Sequence, residues 1–279
     1  MPGSPPPVTE SPRPVGRYRP SRLIRGSVAL HAGAAATLLL RPALWPWALG
    51  AVLADHLLLT AAGLVPRASL LGPNLTRLPP TAAARGEVAI TIDDGPDPAV
   101  TPAVLALLES HGVQASFFCV GERIARYRTL AREMAARGHA VENHSQRHLN
   151  RFALLGPRAL RDEIERAQDS IAAATGETPR FFRAPMGLRN PFLEPVLARA
   201  GLELVSWTRR GFDTVSADPQ RVLRRLTRAL RPGDILMLHD GHAARTAGGA
   251  AVIVAVLPRL LGALREAGLT PVTLRTALP

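Results

Sequence analysis

Lysine is missing from this 279-residue chain, so all 34 basic residues are arginine. That removes a lysine Schiff base or lysine nucleophile from the available chemistry. Cysteine occurs once, at Cys119, which excludes an intrachain disulfide and gives no sign of the redox compartment. Its setting, ASFFCVG, is an apolar strand-like run that points to a small core residue rather than a catalytic thiol. No internal repeat is present. The net charge of +12 comes without a nucleic-acid-binding motif or a basic stripe interleaved with aromatics, so a nucleic-acid partner is not expected. The arginine excess reflects either the codon bias of a GC-rich genome or attraction to the phosphates of anionic lipid or a phosphorylated substrate. Nothing implies an obligate protein partner.

The hydrophobic residues, 47% of the chain, are unevenly spread. Residues 1–22 are rich in proline, serine and arginine without apolar periodicity, and are expected to be a disordered tail. Residues 23–66 hold two apolar stretches flanking Arg41-Pro42, the second long enough to cross a bilayer. Trp45 and Trp47 suit an interfacial position. A cleaved signal peptide is disfavoured because no small-x-small site follows a single apolar core. Arg13, Arg17, Arg19, Arg22 and Arg25 precede the pair, Arg67, Arg77 and Arg85 follow it, and only Arg41 lies between. A helical hairpin with both arginine-rich flanks in the cytoplasm satisfies this asymmetry. The expectation is a bacterial inner-membrane protein with its main domain on the cytoplasmic face. A single span would put that domain on the periplasmic face, and Asp55 and His56 interrupt the second stretch. Residues 67–84 read as a linker.

From residue 85 to 279 strand-like and helix-like runs alternate. The strand candidates are 87–93, 115–120, 139–144, 180–185, 203–208, 234–239 and 270–274. Amphipathic segments separate them, including 122–137, 158–175, 218–230 and 250–267. Alternation of this kind implies parallel pairing and an α/β fold, with a closed or nearly closed barrel as its natural form. Polar residues fall at the strand ends. Asp93 and Asp94 close the first, His144 the third with His148 just beyond, Arg183 the fourth, and His239 with Asp240 the sixth. The C-terminal face of such a barrel is where loops build active sites.

HSQRH at 144–148 has i, i+4 spacing, which would put both imidazoles on one side of a helical turn. One carboxylate from the first strand completes a two-histidine, one-carboxylate set with open positions, the mark of a catalytic metal. The adjacent aspartates can then divide their labour. Asp94 binds the ion, whose charge relieves their repulsion, and Asp93 stays free to accept a proton from water acidified by the metal.

These blocks resemble the polysaccharide deacetylase family with the NodB homology domain, carbohydrate esterase family 4, over about residues 85–279. TIDDGP at 91–96 is similar to its first motif, HSQRH to its second, RAPMG at 183–187 to its third and ILMLH at 235–239 to its last. The resemblance implies a distorted (β/α)7 barrel, here preceded by the hydrophobic helical hairpin. It makes Asp93 the general base, Asp94, His144 and His148 the metal ligands and His239 the general acid. Arg183 orients Asp93, Asp213 tunes His239, and the Met186 backbone N–H helps hold the oxyanion. Zinc is the implied ion, and Co2+, Ni2+ or Fe2+ suit the same ligands.

The fourth block departs from the family pattern. SWTRRGFDT (206–214) keeps Asp213 but has Arg210 where an aspartate falls and Thr214 where a tryptophan falls. The acetyl-pocket wall must then come from Trp207 or Phe212, and Met186 stands where an aromatic is common. Arg209 and Arg210 form a pair that could meet a phosphate of a lipid-linked sugar or simply be solvated. The implied activity is metal-dependent removal of an N-acetyl group from an amino sugar in a polysaccharide, oligosaccharide or lipid-linked glycan. Rivals are an O-acetyl esterase or N-deformylase using the same site, and a catalytically inactive glycan-binding membrane protein. His111 and His139 read as cap or surface residues, and His242 as a loop residue or a substrate contact.

Overall fold

The computed structural model describes residues 18–279, so nearly all of the expected disordered tail lies outside the described residues. Helix α1 (Arg22–Leu40) starts at Ser21, whose hydroxyl accepts the Ile24 N–H. Pro42 ends the helical run because its ring cannot continue the backbone ladder, and a single 3-10 turn reverses the chain into α2 (Trp45–Leu64). Both helices are long and apolar enough to cross a membrane, and few of their residues are buried in the protein. Trp45 and Trp47 are exposed near the hairpin bend.

The hairpin does not end in a loose tether. A Cβ at Gly63 would lie 2.1 Å from the carbonyl oxygen of Arg189, so only glycine permits this approach. The Arg189 N–H donates to the Gly63 carbonyl, Ser206 donates its hydroxyl to the Pro66 carbonyl at 2.7 Å, and Arg67 donates to that of Thr208. The side-chain amide of Asn74 donates to the carbonyls of Pro66 and Ala68. The expected linker is thus strapped to the domain and includes the short helix α3 (Pro80–Ala84).

Strand β1 (Glu87–Gly95) leads the barrel, buried throughout. It is followed by α4 (Thr101–Ser110), β2 (Ser116–Cys119), α5 (Gly121–Arg126), α6 (Arg128–Ala136) and β3 (Ala140–Asn143). Next come α7 (Pro157–Thr175), β4 (Phe181–Phe182), α8 (Leu193–Ala200), β5 (Glu203–Leu204) and β6 (Arg209–Arg210). The chain closes with α9 (Pro219–Thr227), β7 (Ile235–His239), α10 (Val252–Glu266), β8 (Thr270–Val272) and α11 (Leu274–Ala277). All strand pairs are parallel, in the order β5-β4-β3-β2-β1-β7-β6, with β8 on the first half of β1. The result is a curled α/β sheet, the distorted barrel expected. The stretch 203–208 turns out to hold the start of one edge strand, and the other edge follows it at 209–210, so the chain itself crosses the seam that a closed ladder would fill.

The β1 side chains sort by the two-residue period of a strand. Val88, Ile90 and Ile92 pack under the helices with Leu105, Leu257 and Leu260, whereas Ala89 joins Phe118, Phe181, Val205 and Ile235 inside the barrel. Cys119 belongs to the core, and burial pushes its thiol well above its usual value. The helix expected over 122–137 is broken at Tyr127, whose ψ of 49° leaves helical geometry. His139 is neither cap nor surface. It is buried and accepts the Ala115 N–H, and burial lowers it to about 4.

Replacing Gly63 by leucine is expected to undock the hairpin from the domain without unfolding the sheet. Trypsin should then cut at Arg67 faster than in the wild type, and equal cleavage rates would show that the close approach at Gly63 is not what holds the seam.

Candidate active site

The parallel register of β1 with β7 sets Asp93 beside His239. Neighbouring strand residues should face opposite ways, yet Asp93 and Asp94 both line one cavity of about 260 Å3. The register slips between Asp93 and Gly95, and Asp94 takes the left-handed φ of 73°. That kink turns the second carboxylate from the helix side to the mouth. Gly95 is required beside it, because a Cβ there would lie 2.5 Å from the buried carboxylate of Asp240.

Asp94, His144 and His148 meet at the cavity floor. The Nε2 atoms of both histidines lie 3.2 Å from Asp94 Oδ1, which is buried and receives no hydrogen bond. His144 Nδ1 is 2.8 Å from the Arg183 carbonyl and must donate to it, so a neutral His144 presents a lone pair at Nε2. Burial holds His148 down at about 4, so its ring is neutral near pH 7. Burial alone would raise Asp94, but the imidazoles of His144, His242 and His148 keep it well below the usual carboxylate range. With both rings in the neutral form, Asp94 Oδ1 and the two Nε2 atoms are three acceptors facing one another, the donor set that a divalent cation satisfies. The helical turn expected for HSQRH is not found. The segment is a loop in which Ser145 and His148 have positive φ, held by Asn143 accepting the Ser145 N–H and Ser145 accepting the His148 N–H.

Arg183 lies inside the barrel, 1% exposed, over the Phe118 ring. It donates to Asp93 Oδ1 at 2.5 Å and to the hydroxyl of Thr91, and it also reaches the carbonyls of Val205 and Ser206. Asp93 therefore has one oxygen tied and its charge matched. Asp213 is fully buried and accepts twice from His239, from Nδ1 at 2.9 Å and from the backbone N–H at 2.7 Å. Burial would lower His239, but the Asp213 carboxylate overrides it and raises the imidazole to about 9.

Met186, Trp207, Arg210 and Thr214 form the cavity wall. Met186 is 42% exposed with φ of 56°, an unfavourable backbone for a side chain of its type. The guanidinium of Arg210 lies over the rings of Trp207 and Phe212. Arg209 is not its partner in the cleft. Successive strand residues diverge, and Arg209 pairs with Asp234 at 3.0 Å. Two residues left open or unassigned by the sequence take places here. His242 donates toward Asp94 Oδ2 at 3.2 Å and meets Arg123 on its other nitrogen. Asp240 accepts from Thr101 and from Gly241 N–H, and burial outweighs these bonds to raise it to about 7. The sequence set Asp240 at a strand end and His242 just beyond it, but gave neither residue its contacts.

In the metal-free protein His239 is expected to titrate near 9, and in Asp213→Asn to fall, because burial then works against only the weaker pull of Asp93 and Asp94. A folded value above the unfolded one means that the pair stabilises fully below pH 6.5 and loses that contribution as pH rises through about 9. The difference in thermal stability between wild type and variant should close over that window. A gap independent of pH would rule out the charged pair.

The chain is similar to known proteins in sequence and fold. The family model for polysaccharide deacetylase matches residues 81–205. A chitooligosaccharide deacetylase of Sinorhizobium fredii is 34% identical over 200 residues, covering 70% of this chain and 93% of that protein. A peptidoglycan-N-acetylglucosamine deacetylase of Bacillus cereus is 31% identical over 193 residues, covering 68% of this chain and 87% of that protein. The family 4 carbohydrate esterase of Streptomyces lividans, solved with acetate, superposes with a TM-score of 0.61 at 33% identity over 67% of this chain and 91% of its own. The chain belongs to the polysaccharide deacetylase family, hydrolases of carbon–nitrogen bonds other than peptide bonds.

Proposed function

We propose that the protein removes the N-acetyl group from an amino sugar of a membrane-proximal glycan, using one divalent metal ion. The observation that carries this reading is the unsatisfied, buried Asp94 Oδ1 facing two imidazole nitrogens, with a tied carboxylate beside it and a cationic imidazole next to that carboxylate on β7. Asp94, His144 and His148 would hold the ion, zinc by ligand type, which when bound polarises the acyl carbonyl and acidifies water.

The remaining roles belong to the chain. Asp93 keeps Oδ2 free of Arg183 and takes the proton of the attacking water. Arg183 fixes that carboxylate and matches its charge, which suits a base that must be ionised at neutral pH. His239, kept protonated by Asp213, gives its proton to the amine nitrogen as the C–N bond breaks, since an amine leaves only once protonated. The backbone N–H of Met186 would help hold the oxyanion. Trp207 and Met186 would flank the acetyl methyl. The small cavity suits one sugar residue at a time. An O-acetyl ester or an N-formyl group would react by the same steps.

The hairpin bears on the substrate. Its end is strapped beside Ser206 and Gly187 at the cavity wall, so a chain seated in a bacterial inner membrane holds its cleft at a set distance from the lipid. This favours a lipid-linked or envelope glycan over a diffusing oligomer. The domain lies on the cytoplasmic face in this proposal, with residues 23–66 as the membrane segment, 67–84 as the connection and 85–279 as the catalytic domain.

Asp93→Asn should lower kcat by about two to four orders of magnitude while leaving bound metal unchanged. Acetate release from N-acetylglucosamine oligomers and from a lipid-linked amino sugar, assayed side by side, reads out both activity and preference. Chelation should abolish release and zinc restore it. Full activity in Asp93→Asn would remove that residue as the base, and chelator-resistant release would remove the metal. A C-terminal alkaline phosphatase fusion should be inactive if the domain is cytoplasmic and active if it is periplasmic.

A further inference from the structure

Midway along the hairpin lies a second group of ligating side chains, far in sequence from the cleft. We propose that His31, Asp55 and His56 bind one divalent transition-metal ion of the zinc, cobalt or nickel class, which clips α1 to α2. A ligand atom from each of the three lies within 4.8 Å of the others. His31 Nδ1 is 2.8 Å from the Ser27 carbonyl and donates to it, so the neutral ring turns a lone pair outward from Nε2. That atom faces His56 Nε2 at 3.1 Å. Two imidazole nitrogens about 2.0–2.1 Å from a tetrahedral zinc stand roughly 3.3–3.4 Å apart, so the pair is within a few tenths of an ångström of a chelating geometry.

Asp55 supplies the third ligand. It is buried between the helices, and its Oδ2 accepts the Ser27 hydroxyl at 2.7 Å. Ser27 therefore orients two of the three ligands, the imidazole through its carbonyl and the carboxylate through its hydroxyl. The same device orients His144 in the cleft, where a backbone carbonyl takes the Nδ1 proton. Charge points the same way. α2 carries no arginine, and those of α1 are Arg22 and Arg25 at its start. A carboxylate midway along a bilayer-length apolar hairpin is costly without a compensating cation, and an ion between the histidines supplies one. His56 is exposed on the outer face of the hairpin, which leaves one coordination position open on that side.

The test is a metal count on the full-length chain in detergent, loaded with Zn2+, desalted and measured by elemental mass spectrometry. Wild type should hold two equivalents, and His31→Ala/His56→Ala one, with its circular dichroism unchanged. His144→Ala/His148→Ala should also hold one, so the two sites are read separately. Loading with Co2+ should give the hairpin site its own visible absorption in that second variant, lost when Asp55→Asn is added. A single equivalent in wild type that disappears in His144→Ala/His148→Ala would overturn the proposal, leaving His31 and His56 to share a proton. Two equivalents retained in His31→Ala/His56→Ala would overturn it too, by placing the second ion elsewhere.

Discussion

Two adjacent carboxylates buried at the end of the central strand have to be neutralised, and the site is arranged around that need. Asp93 and Asp94 are 2% and 5% exposed, and like charges so close cannot both stay ionised in a low dielectric without partners. The kink at Asp94 separates their directions. Asp93 then meets a guanidinium that fills the barrel, and Asp94 meets imidazoles that leave space for a cation. Removing one member of a buried pair of this kind costs about 3–5 kcal/mol, because the other is left charged and unsatisfied.

The same economy recurs one shell out. Asp213 holds His239 cationic, and the Arg183 backbone carbonyl fixes the tautomer of His144 while its side chain holds Asp93. One residue thus fixes His144 and Asp93 at once, which couples the two sides of the cavity. Phe118 below the guanidinium supplies a face that stabilises the cation without competing for its donors. Polar groups buried this deeply interact more strongly than they would in water.

The hairpin adds a constraint absent from a free-standing barrel. Its end meets the domain through a glycine contact and hydrogen bonds with Arg189, Ser206 and Thr208, so hairpin and cleft are held together. The substitutions in the fourth block lie along this same wall. Arg210 stacks on Trp207 and Phe212 and brings a positive charge to the cavity.

Much of this was legible in the chain. Apolar runs of strand length alternating with amphipathic segments suffice for a parallel sheet, because neither element can bury its face alone. TIDDGP, HSQRH, RAPMG and ILMLH supplied Asp93, Asp94, His144, His148, Met186 and His239, which the fold brings to one cavity, since each motif keeps its polar residues within a few consecutive positions. Local signals were weaker elsewhere. Helical spacing in HSQRH misled because side-chain caps from Asn143 and Ser145 outcompete the helix, and 203–208 read as one strand although the chain leaves one edge and joins the other there. Only the folded chain separated Arg209 from Arg210, placed His242 against Asp94, buried Asp240 under Gly95 and brought His31 to His56 across the hairpin. Those pairings join residues tens to more than a hundred positions apart, where sequence order carries no information about distance and packing alone decides which side chains meet.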